Sequence, residues 1–135
     1  MSRIVLANGC FDLLHYGHLQ HLQAARRFGD VLVVSITKDA YVNKGPGRPV
    51  FADWQRRAMV SALSCVDRTI LVADAMEALE VIQPQVFVKG SDYVGKIEPE
   101  HEAYCKAHNI EIVFTNAPHF SSTKLLHYYD QSRQS

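Results

Sequence analysis

The chain has 135 residues, 47% hydrophobic and 21% charged, with 14 Lys and Arg balanced against 14 Asp and Glu. That length fits one domain, residues 1–135, and is short for two. Balanced charge gives no global field for nucleic acid or an anionic membrane, so any anion site has to be built locally. No basic aromatic face marks a nucleic-acid binder, and no apolar run approaches the roughly 20 residues that span a bilayer.

The opening stretch carries one Arg and runs into Asn8-Gly9, which reads as a first strand and not a secretory signal. Ile4 to Ala7 is a compact apolar run of the kind a buried strand needs. From Gly17 to Phe28, Leu19, Leu22, Ala25 and Phe28 recur at helical spacing, and Gly29-Asp30 stops that helix. Val31 to Ile36 is a second buried strand. A Gly- and Pro-rich loop, 42–50, precedes a helix for which Asp53 is the expected N-cap. Strands follow at 69–72, 86–88 and 110–114, with helices at 75–82, 98–108 and 121–129.

Apolar strands alternating with helices predict an α/β fold. The expectation is a Rossmann-like, doubly wound, five-stranded parallel sheet with helices on both faces. Such sheets bind ligands beyond the carboxyl ends of their strands, and the unusual residues collect there. Asn8-Gly9-Cys10-Phe11-Asp12-Leu13-Leu14-His15-Tyr16-Gly17-His18 follows the first strand. Lys38, Lys44, Gly45, Gly47 and Arg48 follow the second, Lys89-Gly90-Ser91-Asp92-Tyr93 the fourth, and His119 with Ser121-Ser122-Thr123-Lys124 the fifth. Cations, glycines and hydroxyls from four segments on one rim imply a polyphosphate site.

His15 and His18 straddle Gly17 at a helix start, where backbone N–H groups and the helix dipole favour anions. Two imidazoles there can stabilise charge building on a triphosphate; capping or surface histidines are the plainer reading. His-x-x-His spacing also suits zinc, but no third ligand is near in sequence. Asn8-Gly9 serves a tight turn or a close approach to nucleotide. Asp12 orients a histidine, helps hold a metal or caps its turn. Phe11 and Leu13-Leu14 read as packing residues. One of Arg56 and Arg57 is expected to face the phosphates. Ser121, Ser122 and Thr123 either cap the last helix or form an anion nest. The loop at 44–48 lacks the Walker pattern, and the first turn lacks the Gly-x-Gly-x-x-Gly of dinucleotide oxidoreductases.

Residues 9–18 resemble the Gly-x-Phe-Asp-x-x-His-x-Gly-His signature of the cytidylyltransferase-like nucleotidyltransferases, and Ser121-Ser122-Thr123-Lys124 resembles their second signature. Gly47-Arg48-Pro49-Val50, Val66-Asp67 and Val88-Lys89-Gly90-Ser91-Asp92-Tyr93 look most like the adenylyltransferase part of ADP-heptose synthase. Glycerol-3-phosphate cytidylyltransferases are similar in the first motif, but their Arg before the second is replaced here by Pro118-His119-Phe120. Cys10, Ser91 and Phe120-Ser121-Ser122 also depart from the usual residues, the last two at positions that the resemblance puts beside the acceptor.

The resemblance implies transfer of a nucleoside monophosphate, AMP ahead of CMP, from a triphosphate to a sugar phosphate or similar acceptor. Pyrophosphate would be released. A cytidylyltransferase using CTP and a non-catalytic nucleotide-binding module are the alternatives. The resemblance also implies site roles. His15, His18, Lys44 and Arg48 are catalytic. Asn8, Gly9, Cys10, Phe11, Gly17, Arg56, Lys89, Gly90, Asp92, Ser121, Ser122 and Thr123 bind nucleotide. Mg²⁺ arrives on the nucleotide, and a homodimer is expected. Cys10, Cys65 and Cys105, odd in number and without ligand spacing, read as reduced thiols of a cytoplasmic protein.

Overall fold

The computed structural model describes residues 2–116. The helix expected over 121–129 lies outside them, as do His119, Ser121, Ser122, Thr123 and Lys124. In chain order the elements are β1 (Ile4–Gly9), α1 (Tyr16–Arg26), β2 (Val31–Thr37), α2 (Asp53–Ser61) and β3 (Arg68–Val72). Then come α3 (Ala75–Ile82), β4 (Val86–Gly90), α4 (Pro99–Ala107) and β5 (Glu111–Thr115). Single 3-10 turns, Asp39–Tyr41 and Ser91–Tyr93, follow β2 and β4.

The five strands form one parallel sheet in the order β3-β2-β1-β4-β5. This is the doubly wound arrangement expected from the sequence. The winding reverses between β1 and β4, and that is where such sheets open a crevice.

Strand periodicity divides the apolar side chains between two cores. Val5, Ala7, Leu32, Val34, Ile36, Val86 and Val88 point to one face and pack with Leu22 and Ala25 of α1 and Val60 of α2. Leu6, Val33, Val72 and Phe87 point to the other, against Ala75, Ala78 and Leu79 of α3 and Cys105 of α4. Because β1, β2 and β4 are covered on both sides, their sequences read as continuous apolar runs.

Most boundaries shift by one or two residues from the sequence expectation, and two of the differences have a physical cause. β1 does not end at Ala7: Asn8 and Gly9 stay in register with Ser35 and Ile36, and the Asn8 amide donates to the Ser35 hydroxyl at 2.8 Å. Asp53 is not the N-cap of α2 but its first helical residue, after Ala52. Its carboxylate instead accepts from the Asp39 amide at 3.1 Å, and Gln55 accepts from the Ala52 amide at 3.1 Å. The acid is used for a tertiary tie, and a residue one turn on caps the helix.

Gly29 lets the end of α1 pass close to β1. A Cβ there would lie 2.5 Å from the Arg3 carbonyl oxygen and 2.7 Å from Cγ2 of Val5. Since the first obstacle is backbone, Gly29→Ala is expected to cost about 1–3 kcal/mol. Urea denaturation, with far-UV circular dichroism to show a retained fold, measures this.

Candidate nucleotide site

At the crevice between β1 and β4 lies a cleft of about 200 Å³. Its wall includes Asn8, Gly9, Cys10 and Phe11 after β1, then His15, Gly17, His18 and His21 along α1. Lys44 contributes from the loop after β2. Val88, Lys89, Gly90, Asp92 and Tyr93 come from the end of β4, and Thr115 from the end of β5. Most of the described residues expected at the site therefore do converge on one cleft.

The turn from β1 to α1 is tightly built. Phe11 and Leu13 both have positive φ, 53° and 38°, a conformation uncommon for residues other than glycine. Phe11 is buried in the core, with its ring against Gly9: a Cβ on Gly9 would lie 2.8 Å from that ring. Phe11 meets the His18 ring edge to face at 5.3 Å. Gly9 is therefore required by packing, and Phe11 borders the cleft as a packed wall.

His15 and His18 cap α1 reciprocally. The Gly17 amide donates to Nδ1 of His15 at 3.1 Å, and the His15 amide donates to Nδ1 of His18 at 3.2 Å. The rings stack with centroids 3.9 Å apart. A backbone N–H donating to Nδ1 makes that nitrogen the acceptor, so the proton of the neutral ring sits on Nε2. Capping and anion recognition are thus compatible: the cap fixes the tautomer that makes Nε2 a donor.

Three charged residues expected at the site have other work. Asp12 is buried. Its Oδ2 accepts from Arg48 Nε and the Val50 amide, each at 2.7 Å, and its Oδ1 from the Phe51 amide at 2.9 Å. Burial opposes the charge, but these donors outweigh it and hold the carboxyl below its ordinary range. With both oxygens so engaged, Asp12 is a staple and not a metal ligand. Arg48 is its buried partner, side chains 3% and 0% exposed, and not part of the cleft wall.

Arg56 is also buried. It donates to the carbonyls of Phe51 (2.9 Å), Cys10 (2.8 Å) and Thr37 (2.8 Å) and to the Asp39 carboxylate (2.7 Å). A guanidinium spent on the protein in this way does not hold β- and γ-phosphates. Arg57 donates to Thr69, beside β3. Among the described residues, Lys44 and Lys89 are the expected lysine and arginine side chains that line the cleft.

The Lys89 ammonium lies 4.1 Å from the centroid of the Tyr93 ring, a cation–π distance. Burial lowers its pKa, opposed by Glu98 and Asp92. Burial raises the pKa of the Cys10 thiol, against the pull of Arg56 and Lys44, so Cys10 is kept as a thiol and not an activated nucleophile. His21 and Thr115 escaped the motif reading. Nδ1 of His21 lies 2.7 Å from the Thr115 hydroxyl. His21 falls three residues after His18, on the same helix face, and Thr115 ends a strand as Gly9 and Gly90 do. Those positions were the available signals.

The cleft thus lies at the switch point of a doubly wound sheet, between a histidine-capped helix start and a lysine-bearing loop. The chain belongs to the cytidylyltransferase-like family, whose model matches residues 6–128. It is 47% identical over 96 residues to the bifunctional protein HldE of Geotalea uraniireducens, across 68% of this chain and 20% of that protein. It is 41% identical over 100 residues to the bifunctional protein HldE of Campylobacter jejuni subsp. doylei, across 71% and 22%. The chain thus matches only about a fifth of the length of these curated relatives.

Among solved structures, the lipopolysaccharide core biosynthesis protein of Thermoplasma volcanium superposes with a TM-score of 0.74 at 30% identity, covering 88% of this chain and 100% of that one. Pantothenate synthetase from Thermus thermophilus shares the fold, with a TM-score of 0.60 at 16% identity over 85% of this chain and 55% of that one. No helix among the described residues is long and apolar enough to cross a membrane.

Two outcomes follow from the buried charges. Asp12→Asn is expected to cost about 3–5 kcal/mol, because it leaves the Arg48 charge without its buried counter-ion. The carboxyl's folded pKa is lowered, so its stabilisation is complete above the ordinary carboxylate value and is lost as pH falls toward the folded one. Stability measured against pH in that acid window should be flatter in the Asn variant. Arg56→Ala is expected to cost about 1–3 kcal/mol for each of the Phe51, Cys10 and Thr37 carbonyls it leaves buried without a donor. Arg56→Lys should recover only part of it, since one ammonium cannot reproduce a planar fork of donors; chemical denaturation ranks the two.

Proposed function

We propose that the chain is a single nucleotidyltransferase domain that transfers a nucleoside monophosphate, AMP ahead of CMP, to a sugar phosphate or similar small acceptor. The observation that carries this reading is the reciprocal capping of His15 and His18 at the start of α1, inside the switch-point cleft. It puts two donor imidazoles beside a helix N-terminus, where a polyphosphate is favoured. The preference for AMP rests on residues 47–50, 66–67 and 88–93, which resemble the adenylyltransferase part of ADP-heptose synthase, and on likeness to proteins named HldE.

In this reaction an oxygen of the acceptor's phosphate attacks the α-phosphorus in line. A new O–P bond forms as the bond to the bridging oxygen of the β-phosphate breaks, and pyrophosphate leaves opposite. The nucleophile is already ionised near neutral pH, so the protein need not supply a base. Nor is a covalent intermediate needed, in keeping with Cys10 held as a thiol. Catalysis is then positioning and charge stabilisation.

In this reading His18 stabilises the transferring α-phosphoryl group and His15 the adjoining phosphates. Gly17 permits close approach, and Lys44 draws the acceptor phosphate or the leaving pyrophosphate. Asn8, Gly9 and Cys10 form the floor, while Lys89, Gly90 and Asp92 line the nucleoside end. Ser121, Ser122 and Thr123 are assigned to phosphate by their signature alone. Magnesium would travel on the triphosphate and neutralise its charge. The described residues offer no group of three His, Cys, Asp or Glu to cage it, and Mg²⁺ commonly keeps phosphate and water as ligands. A homodimer in the cytoplasm completes the proposal.

Incubation with ATP or CTP, Mg²⁺, pyrophosphatase and a panel of sugar and polyol phosphates tests it directly. Phosphate release dependent on both substrates is the expected result; none with any pair overturns the transfer reading. His18→Ala should retain the fold and nucleotide binding yet lose turnover by roughly a hundredfold or more. Near-normal kcat in that variant removes His18 from the chemistry.

A further inference from the structure

The floor of the cleft beyond His18 holds a pair of side chains to which the reaction above gives no task. His21 stands one helical turn past His18 and lines the cleft, as does Thr115 from the end of β5. Nδ1 of His21 and the Thr115 hydroxyl are 2.7 Å apart, with Thr115 itself 3% exposed. The two join α1 to β5 across the far end of the site.

We propose that His21, braced by Thr115, is the residue that selects the nucleobase of the triphosphate. This rests on the nucleotidyltransferase reading and adds a specificity determinant to it. The cleft is chemically divided. Toward the loop it offers Lys44, an anion partner. Toward β4 and β5 it offers an imidazole, a hydroxyl, the Asp92 carboxylate and the Tyr93 ring, with the Lys89 ammonium held over that ring, a mixture of donors, acceptors and a flat apolar face suited to a heterocycle.

Engagement of Nδ1 by Thr115 fixes the His21 ring and assigns Nε2 to a ligand. A threonine hydroxyl both donates and accepts, so the tautomer of His21 follows the rotation of that hydroxyl. If Thr115 donates, Nε2–H is a donor; if it accepts, Nε2 is an acceptor. Burial and the nearby Lys89 charge lower the pKa of the ring, with Asp92 opposing, so the neutral form needed for this reading is favoured. A base whose edge matches the neutral pair gains a hydrogen bond that a mismatched base forfeits.

The test compares His21→Leu, His21→Asn and Thr115→Val with the natural chain. Equilibrium binding of ATP, CTP, GTP and UTP is measured for each, and kcat/KM wherever turnover is seen. The natural chain is expected to prefer one base. His21→Leu should cut that preference by about tenfold, the worth of one hydrogen bond to a base, with Thr115→Val moving the same ratio the same way. His21→Asn supplies a second reading should the leucine variant misfold.

A folded variant that weakens all four triphosphates equally, or keeps the natural ratios, makes the pair merely structural and overturns the proposal. A natural chain that binds all four alike overturns it too. Selective binding lost on substitution, with no pyrophosphate release from the natural chain, leaves base selection standing while the transfer reading falls. Failure to bind any triphosphate removes both.

Discussion

The Asp12 carboxylate is the point on which the site's geometry turns. It belongs to the tight passage from β1 to α1, yet its three donors all come from the segment 48–51, distant in sequence. A carboxylate removed from water must be met by donors, or it would not stay ionised. Meeting that demand fastens the loop after β2 onto the turn that precedes the histidines. Arg56 closes the knot from below, joining the carbonyls of Cys10, Thr37 and Phe51. The rim of the cleft is therefore set by two buried charges and not by apolar packing alone.

In a chain with no net charge, the basic residues are divided by burial. Arg48 and Arg56 hold loops together, and Lys44 and Lys89 border the cleft. Among the described residues, what lines the cleft is a helix start, three imidazoles and two ammonium groups, gathered where the sheet reverses its winding.

The fold was legible because β1, β2 and β4 are buried on both faces and announce themselves as apolar runs. The histidine pair was legible because its spacing, its glycine and its place after a strand agree. The roles of Asp12, Arg48 and Arg56 were not. A one-dimensional reading gathers cations at a rim but does not reveal which ones folding consumes, since their partners lie 17 or more residues away or are backbone carbonyls. Asp53 was misread as an N-cap for a related reason: its partner, the Asp39 amide, is tertiary. His21 carries no motif; only its helical offset from His18 marks it, and its meaning depends on Thr115 at the far edge of the sheet.

The loop between β2 and α2 is anchored at its feet and open at its crown. Gly45 and Gly47 have φ of 93° and 76°, and a side chain added at either would meet nothing within 4 Å. Length and composition at this tip can drift while Asp12 keeps the stem in place. A few residues at this tip can thus be exchanged while the β1–α1 turn and its capping histidines stay as they are beneath them. For protein engineering, that stretch is a natural cassette for exchange.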